Sequence, residues 1–447
     1  MEPIQQSDNI PSLKISVSSA NKKLIKGVIT GALILFMLIP TVFISNLVHE
    51  REARQQQVAK EVSSKWATAQ TLAGPYIYVP YKKYVEDAKG YMQESNEYFW
   101  ILPDNLQVDG KINHEIRKRS IYNVLLYRAS LQDKGNFIIQ APKGIDMNAI
   151  QWSEAKVCYG ISDFKGIEER PVIRLNGVEH ELSPGLPNQD ISQTGLFAPI
   201  PLQAEDLSKS LTFSMDLKIK GSEQLHFVPL SGNSNFSLQS GWGSPSFDGN
   251  NLPTERSVSP GGFTAKWVFN KVNLPFNTLL TDFKFDLNSV AFGVSMLEPA
   301  DHYAKTERSV KYAILFIGLT FALFFIVELT QRKPMHPVQY VLIGLALVIF
   351  YTLLLSFSEF VLFNVAYLIA ALATITLITL YAWGHFKSWK SAGIFCGILI
   401  GLYGFIFVLI QLEDTALLVG SIGLFIVLAL VMYASRKINW YGTTEPA

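Results

Sequence analysis

Cysteine is nearly absent: the chain has two in 447 residues, Cys158 and Cys396. The first lies in a polar stretch and the second in an apolar one. No structural disulfide is expected, so the polar region has to be held together by its own core. An excess of charge is also missing. Thirty-eight Lys and Arg face 37 Asp and Glu, for a formal net charge of +1, which speaks against a nucleic-acid-binding surface. The zinc motif His-Glu-x-x-His, the nucleophile elbow Gly-x-Ser-x-Gly and the phosphate loop Gly-x-x-x-x-Gly-Lys-Ser/Thr do not occur. Their absence lowers the prospect of an enzyme without closing it, because catalytic groups assemble from distant residues. No cofactor or metal is expected, and no internal repeat of roughly 30–45 residues is visible.

Long apolar runs are lacking from the middle of the chain, and this distribution is the most informative feature. One run covers 27–48, and five more lie at about 312–330, 338–357, 360–383, 391–411 and 415–433. A spanning helix needs about 20 mostly apolar residues, so six transmembrane helices are expected, one N-terminal and five C-terminal. Residues 49–309 contain no such run. The fold class read from this is a mixed α and β membrane protein, with a large antiparallel β-rich domain inserted between helices one and two.

The first run follows Lys22, Lys23 and Lys26 and is longer than the roughly 7–15-residue core of a cleavable signal. It reads as an uncleaved signal anchor, kinked at Pro40. Basic residues then set the orientation. Arg332, Lys333, Lys387, Lys390, Arg436 and Lys437 share one side with the N-terminal lysines. The turn at Ser358-Glu359 has no Lys or Arg, and Glu413-Asp414 is acidic. Positive charge stays in the cytoplasm. Both termini are therefore expected inside and the large domain outside, with tails 1–26 and 434–447 in the cytoplasm, the first disordered.

Within the exported region, 49–70 reads as a helical extension, because Val58, Val62 and Trp66 recur every four residues. Leu72-Ala-Gly-Pro75 is expected to end it and open the extended run Tyr76–Pro80. Residues 71–300 then read as β. In 211–220 apolar and polar residues alternate, as one buried and one wet face require. The segments 263–270 and 283–287 do likewise, and weaker strands fall near 97–102, 121–128, 157–164, 171–175, 225–229 and 236–240. Asn176-Gly177 between two short β segments is a two-residue hairpin signal.

Candidate functional polar residues are few. A charge at the bilayer centre costs at least ~2.5–3.5 kcal/mol, yet Glu328 lies near the inner end of its span and Glu359 in the outer turn, where both reach headgroups. Asn364 sits about one turn into the fourth span. No span has an ionisable residue at its midpoint, which argues against a proton-coupled pump. Asp301 and His302, with Glu298, offer a metal reading, but the spacing matches no ligand pattern and a solvated hinge is the plainer one. His336 reads as a turn residue. Gly393, Gly397 and Gly401 form one face of the fifth span, as do Ala366, Ala370 and Thr374 on the fourth. Such stripes let helices approach closely. The first reading is packing within the bundle, and the alternative is a homodimer through the fifth helix.

A set of short stretches carries a resemblance. They are Leu72–Pro75 with Val79-Pro80, Leu102-Pro103 with Val108-Asp-Gly110, Ile121-Tyr122, Phe227-Val-Pro229 and Trp242–Phe247. Further on come Pro299–Tyr303 leading into Arg308–Leu315, then Met335–Tyr340, Phe350–Leu355 and Ile438–Tyr441. In this order, across polar and apolar parts alike, the chain resembles the CreD family of bacterial inner-membrane proteins, also named for cell envelope integrity. The resemblance implies an inner membrane, a periplasmic domain and a part in envelope maintenance or stress response. It brings no catalytic residues.

The leading expectation is a non-enzymatic envelope protein. Its β domain would bind a periplasmic protein, glycan or lipid partner, while the bundle sits in the lipid bilayer as an anchor. The alternative is a lipid or small-solute transporter with the domain as its cap, and an unrecognised periplasmic enzyme is a minor one.

Overall fold

The computed structural model describes residues 19–86, 92–281, 287–296, 301–331, 333–412 and 415–435. The chain divides into two compact units, Met1–Arg54 with Ala300–Ala447, and Gln55–Pro299. The fold is mixed α and β, with a β-rich middle domain, one N-terminal apolar helix and five C-terminal ones.

The first unit is helical. Helix α1 (Ser19–Met37) gives way to α2 (Ile39–Trp66) at Leu38. The break has a local cause. Pro40 has no N–H to donate, and its ring crowds the carbonyl four residues back. Thr41 covers the loosened turn, its hydroxyl donating to the Leu38 carbonyl at 2.7 Å. After the domain come α3 (Asp301–Lys311), α4 (Ala313–Gln331), α5 (Pro337–Ser358), α6 (Phe363–Phe386), α7 (Trp389–Gln411) and α8 (Ala416–Ser435).

The solvated hinge expected around His302 is instead helix α3. Tyr303, Thr306, Ser309 and Val310 recur at helical spacing and form its buried face. His336 lies in the turn before α5, as read. It caps α5 in a capping box, with the His336 N–H donating to Gln339 Oε1 at 2.9 Å and Pro337 in the first turn.

Aromatic rings fill the bundle core. Phe316 and Phe350 lie 4.5 and 4.9 Å from the Tyr403 ring, and Phe324 stacks on Phe395 at 4.1 Å. Ala366, Ala370 and Thr374 are buried, as expected of a packing face. Gly344 lets α1 approach α5, because a Cβ there would meet Met37 Sδ at 2.6 Å.

The second unit is a two-sheet sandwich. The nine-stranded sheet runs in the order 246–249, 292–295, 224–228, 70–86, 156–161, 195–199 and 183–184, with 92–101 and then 279–280 branching from the long strand 70–86. The eight-stranded sheet runs 255–259, 262–269, 233–240, 105–119, 122–138, 210–222, 172–175 and 178–181. One core lies between them, with Leu72, Val157, Phe227 and Phe292 from the first sheet meeting Val108, Leu131, Phe213 and Phe236 from the second.

Not all pairing is antiparallel, contrary to expectation. Residues 70–73 run parallel to 225–228, and 105–112 run parallel to 233–240. The strand 283–287 lies almost wholly outside the described residues, and Leu287 opens a short 3-10 turn. Gly74-Pro75 does not end the helix, which stops at Trp66. It falls within the strand Gln70–Glu86, where the register to 156–161 shifts. At Asn176-Gly177 the hairpin is as read, with φ of 45° and 85°, the pair of positive values a tight two-residue turn requires.

The extension of α2 packs on the domain through its predicted stripe. Val58 is buried with Tyr122, Val124 and Leu126, and Val62 and Trp66 pack alongside. The Trp66 ring is flanked by three cations, Arg117, Lys220 and Arg128, at 4.1, 4.7 and 5.0 Å. Such contacts are worth ~0.5–1 kcal/mol each at exposed sites and more when desolvated.

Candidate functional site

The polar chemistry of the helical unit gathers at its two ends. At one end stands Glu328, in the last turns of α4. Its side chain is 5% exposed, so it does not reach headgroups as expected. Instead it is surrounded by donors. The Lys26 ammonium of α1 pairs with Oε1, the Met335 N–H donates to Oε1 at 2.8 Å, and Tyr340 Oη of α5 donates to Oε2 at 2.9 Å. A buried carboxylate is tolerated when its lone pairs are filled in this way. Around it the Gln331 amide meets the Ser391 hydroxyl, the Lys333 ammonium meets the Phe386 carbonyl, and the Gln339 side-chain amide contacts His385 Nδ1 at 3.2 Å. These links join α4, α5, α6 and α7 into one polar plate.

At the other end stands Glu359, the C-cap of α5, its side chain 9% exposed. Tyr303 Oη of α3 donates to its Oε1 at 3.1 Å, and Arg51 Nε of α2 lies 3.9 Å away. Close by, Ser45 Oγ donates to the Glu307 carboxylate at 3.0 Å and Arg308 donates to the Ile410 carbonyl at 3.4 Å. Asn364, exposed at the start of α6, accepts from the Gln411 side chain at 2.6 Å.

The two carboxylates hold the α1–α2 segment at two points, Glu328 through Lys26 of α1 and Glu359 through Arg51 of α2. Lys26 and Arg51 are 25 residues apart, or ~37 Å of helix, enough to cross the ~30 Å hydrocarbon core and enter both interfaces. Glu359 has a second consequence. Arg51 stands on the segment that enters the β domain and Tyr303 on the segment that leaves it, so one carboxylate ties the two tethers together.

The other predicted residues are not drawn into a centre. The His302 ring lies against its neighbour Tyr303, with centroids 4.1 Å apart. The side chain of Asp301 and residue Glu298 lie outside the described ones, and among the described residues no three metal-ligating side chains cluster. Gly393, Gly397 and Gly401 face outward, with nothing within 4 Å of where a Cβ would stand. Among the described residues the inner face of α7 is formed instead by Phe395, Leu399 and Leu402.

Several polar groups escape sequence reading. Tyr351 Oη and Thr320 Oγ1 are buried in the bundle with no hydrogen-bond partner among the described residues, while Tyr367 Oη donates to the Tyr403 carbonyl at 2.8 Å. Tyrosine counts as apolar in a spanning run, so only packing reveals that these hydroxyls face inward.

In the domain, Asp133 is fully buried between the sheets and its Oδ2 accepts from Tyr159 Oη at 2.8 Å. Burial pushes its carboxyl up to about 7, against the partial relief of that hydrogen bond. Asp248 bridges His226 Nε2 at 2.7 Å and Ser295 Oγ at 2.5 Å. Ser295 Oγ and His226 Nε2 both meet the Asp248 carboxylate, so this trio ties three strands together.

The family model described as inner membrane protein CreD matches residues 22–441. Inner membrane protein CreD of Escherichia coli (strain K12) is 34% identical over 422 residues, covering 92% of each chain. The chain belongs to the CreD family. Membership in that inner-membrane family agrees with the apolar helices, five of which pass the length and composition needed to span, among the described residues. Among the described residues of the helical unit, Glu328 and Glu359 keep their carboxylates largely covered, at 5% and 9% exposure.

Proposed function

We propose that this CreD-family chain is a non-enzymatic, multi-pass inner-membrane protein that supports envelope integrity or the envelope stress response. Its β domain lies in the periplasm and binds an envelope component there, while the helical unit anchors it with both termini in the cytoplasm. One observation carries the reading: Glu359 holds Arg51 and Tyr303, so both chain segments leading to the domain are fixed to the bundle at one point. A bundle that invests its buried carboxylates in fixing helices behaves as an anchor. The lysines at the Glu328 end, Lys26 and Lys333, support a cytoplasmic position for that end. Photo-crosslinking in intact cells tests the proposal, with the crosslinker at Gln239 or Ser257 on the exposed face of the eight-stranded sheet. Capture of an envelope component is expected, and failure at every position on that face contradicts the reading.

A second reading, passage of a lipid or small solute through the bundle with the domain as cap, is favoured by the inward hydroxyls of Tyr351 and Thr320. Against it stands the absence of a mid-span ionisable group. The alternative reading of the α7 glycines, a homodimer, belongs to the same proposal, and disulfide crosslinking of Gly397→Cys tests it.

A further inference from the structure

We infer that the outer face of the eight-stranded sheet carries a groove for an acidic glycan, a sugar chain bearing carboxylate or phosphate groups. This rests on the proposed binding of an envelope component by the β domain and narrows it to a site and a ligand class.

The groove crosses four neighbouring strands, 105–119, 233–240, 262–269 and 255–259, and is continued by the loop 241–244. Register places Lys111 beside Gln239, Gln239 beside Thr264 and Thr264 beside Ser257. All four side chains are exposed, and at the usual strand spacing the row is roughly 14 Å long. It presents one ammonium, one amide and two hydroxyls, groups suited to hydroxyl and acetamido substituents. Asn113 and Ser259 extend the donors into the next row.

Three features select the ligand class. The first is charge. No Asp or Glu lines the groove, and Lys111 makes no ion pair among the described residues. Asp109, two positions along the same exposed face, accepts from Gln107 Nε2 at 2.7 Å, which leaves the Lys111 ammonium as the cation lining the groove and favours an anionic ligand. The second is an aromatic wall. Trp242 stands against His114, with ring centroids 5.4 Å apart. It is held in place by its own hydrogen bonds, Nε1 to the Ser244 carbonyl at 3.0 Å and its backbone N–H to Ser240 Oγ at 3.2 Å. A fixed ring offers a face to the C–H side of a sugar at little cost in entropy. The third is the openness of the site. Gly241, Gly243, Gly261 and Gly262 put no side chain over the floor. The result is shallow and polar, and no arginine, a common anchor of protein-binding hot spots, is among its lining residues.

The test uses the full-length protein in detergent micelles and three probes. One is a neutral N-acetylglucosamine hexamer. The second is a hexamer alternating N-acetylglucosamine with N-acetylmuramic acid, which adds carboxylates. The third is a bisphosphorylated glucosamine disaccharide. At least one acidic probe is expected to bind tenfold or more tighter than the neutral hexamer, and the better of the two identifies the source of the charge. Lys111→Gln removes that preference and leaves binding of the neutral hexamer unchanged. Because Trp242 partly packs on the core, the row itself supplies the second variant: Gln239→Ala with Ser257→Ala weakens every probe severalfold. Equal binding of neutral and acidic probes, no binding at millimolar concentration, or indifference of the acidic probes to Lys111→Gln would overturn the inference. Crosslinking of a protein at Ser257 with no glycan bound would overturn it while leaving the broader proposal standing. Absence of both sinks the two together.

Discussion

Removing Lys26 is the most informative perturbation of the helical unit. In Lys26→Met the Glu328 carboxylate keeps the Met335 N–H and the Tyr340 hydroxyl but loses its cation. Breaking a buried pair from one side costs about 3–5 kcal/mol, because the remaining charge stays buried without compensation. The Lys26 side chain is 26% exposed, which puts the expected cost near the lower end. At roughly 2–4 °C per kcal/mol for a body of this size, the melting temperature falls by about 6 °C or more. Glu328→Gln removes the charge and keeps an acceptor, so its cost is about 1–2 kcal/mol, that of one unmade hydrogen bond. The double variant Lys26→Met/Glu328→Gln is then more stable than Lys26→Met alone, because no orphaned carboxylate remains. Thermal unfolding of the full-length protein in detergent, followed by size-exclusion chromatography of the surviving fraction, reads all three. A Lys26→Met cost below about 1 kcal/mol, the level of an exposed pair, or simple additivity in the double variant refutes the Lys26–Glu328 pairing.

Other outcomes follow from the domain. Asp133 has its folded pKa raised to about 7 from 3.8 by burial. The folded state therefore holds a proton that the unfolded state releases, so stability is highest below the unfolded value and falls as pH rises from about 4 to about 7, by up to ~4 kcal/mol. Tryptophan fluorescence during urea unfolding should show this slope in the wild type and its loss in Asp133→Asn, which is the more stable of the two at pH 8; an unchanged slope contradicts the assignment. Trp66→Ala removes a large ring and its three cation contacts, and a cost of about 3 kcal/mol is expected, read as faster proteolysis within 55–66; unchanged protection shows that the helix end is held by other contacts. Burial pushes the Cys158 thiol up, so it stays unlabelled by maleimide until the domain unfolds; rapid labelling of the native protein refutes its placement.

The apolar spans were the most legible part of the chain, because a bilayer imposes length and composition on a helix directly. Strand 105–119 was not read. Its inward positions Leu106, Val108 and Ile112 alternate, but Asp104-Asn105 and Asp109-Gly110 look like turns, and Gly110 faces inward only because the side chains of Leu131 and Leu238 fill the space above it. Parallel pairing of 105–112 with 233–240 joins residues far apart in sequence, which no local pattern announces. Helix α3 was hidden by its charges, since Asp301, Glu307 and Arg308 mark a solvated segment until the buried Tyr303, Thr306 and Ser309 face is seen. Glu328 and Glu359 stood out as polar groups at span ends. What escaped was their partners: Lys26 and Arg51 become neighbours only through the way the first helix packs against α4 and α5. The glycine face of α7 shows the converse, a periodicity with no neighbour within 4 Å among the described residues.

Rescue of detergent resistance in a strain lacking the gene, at matched protein level, tests the central claim most directly. Two full-length variants are compared. One replaces the interior hydroxyls of the bundle, Tyr351→Phe with Tyr403→Phe, and the other alters the sheet face, Gln239→Ala with Ser257→Ala. If the domain is the working part and the bundle its anchor, the first variant rescues fully and the second does not. Rescue by the face variant and failure of the bundle variant would contradict the account and make passage through the helices the function.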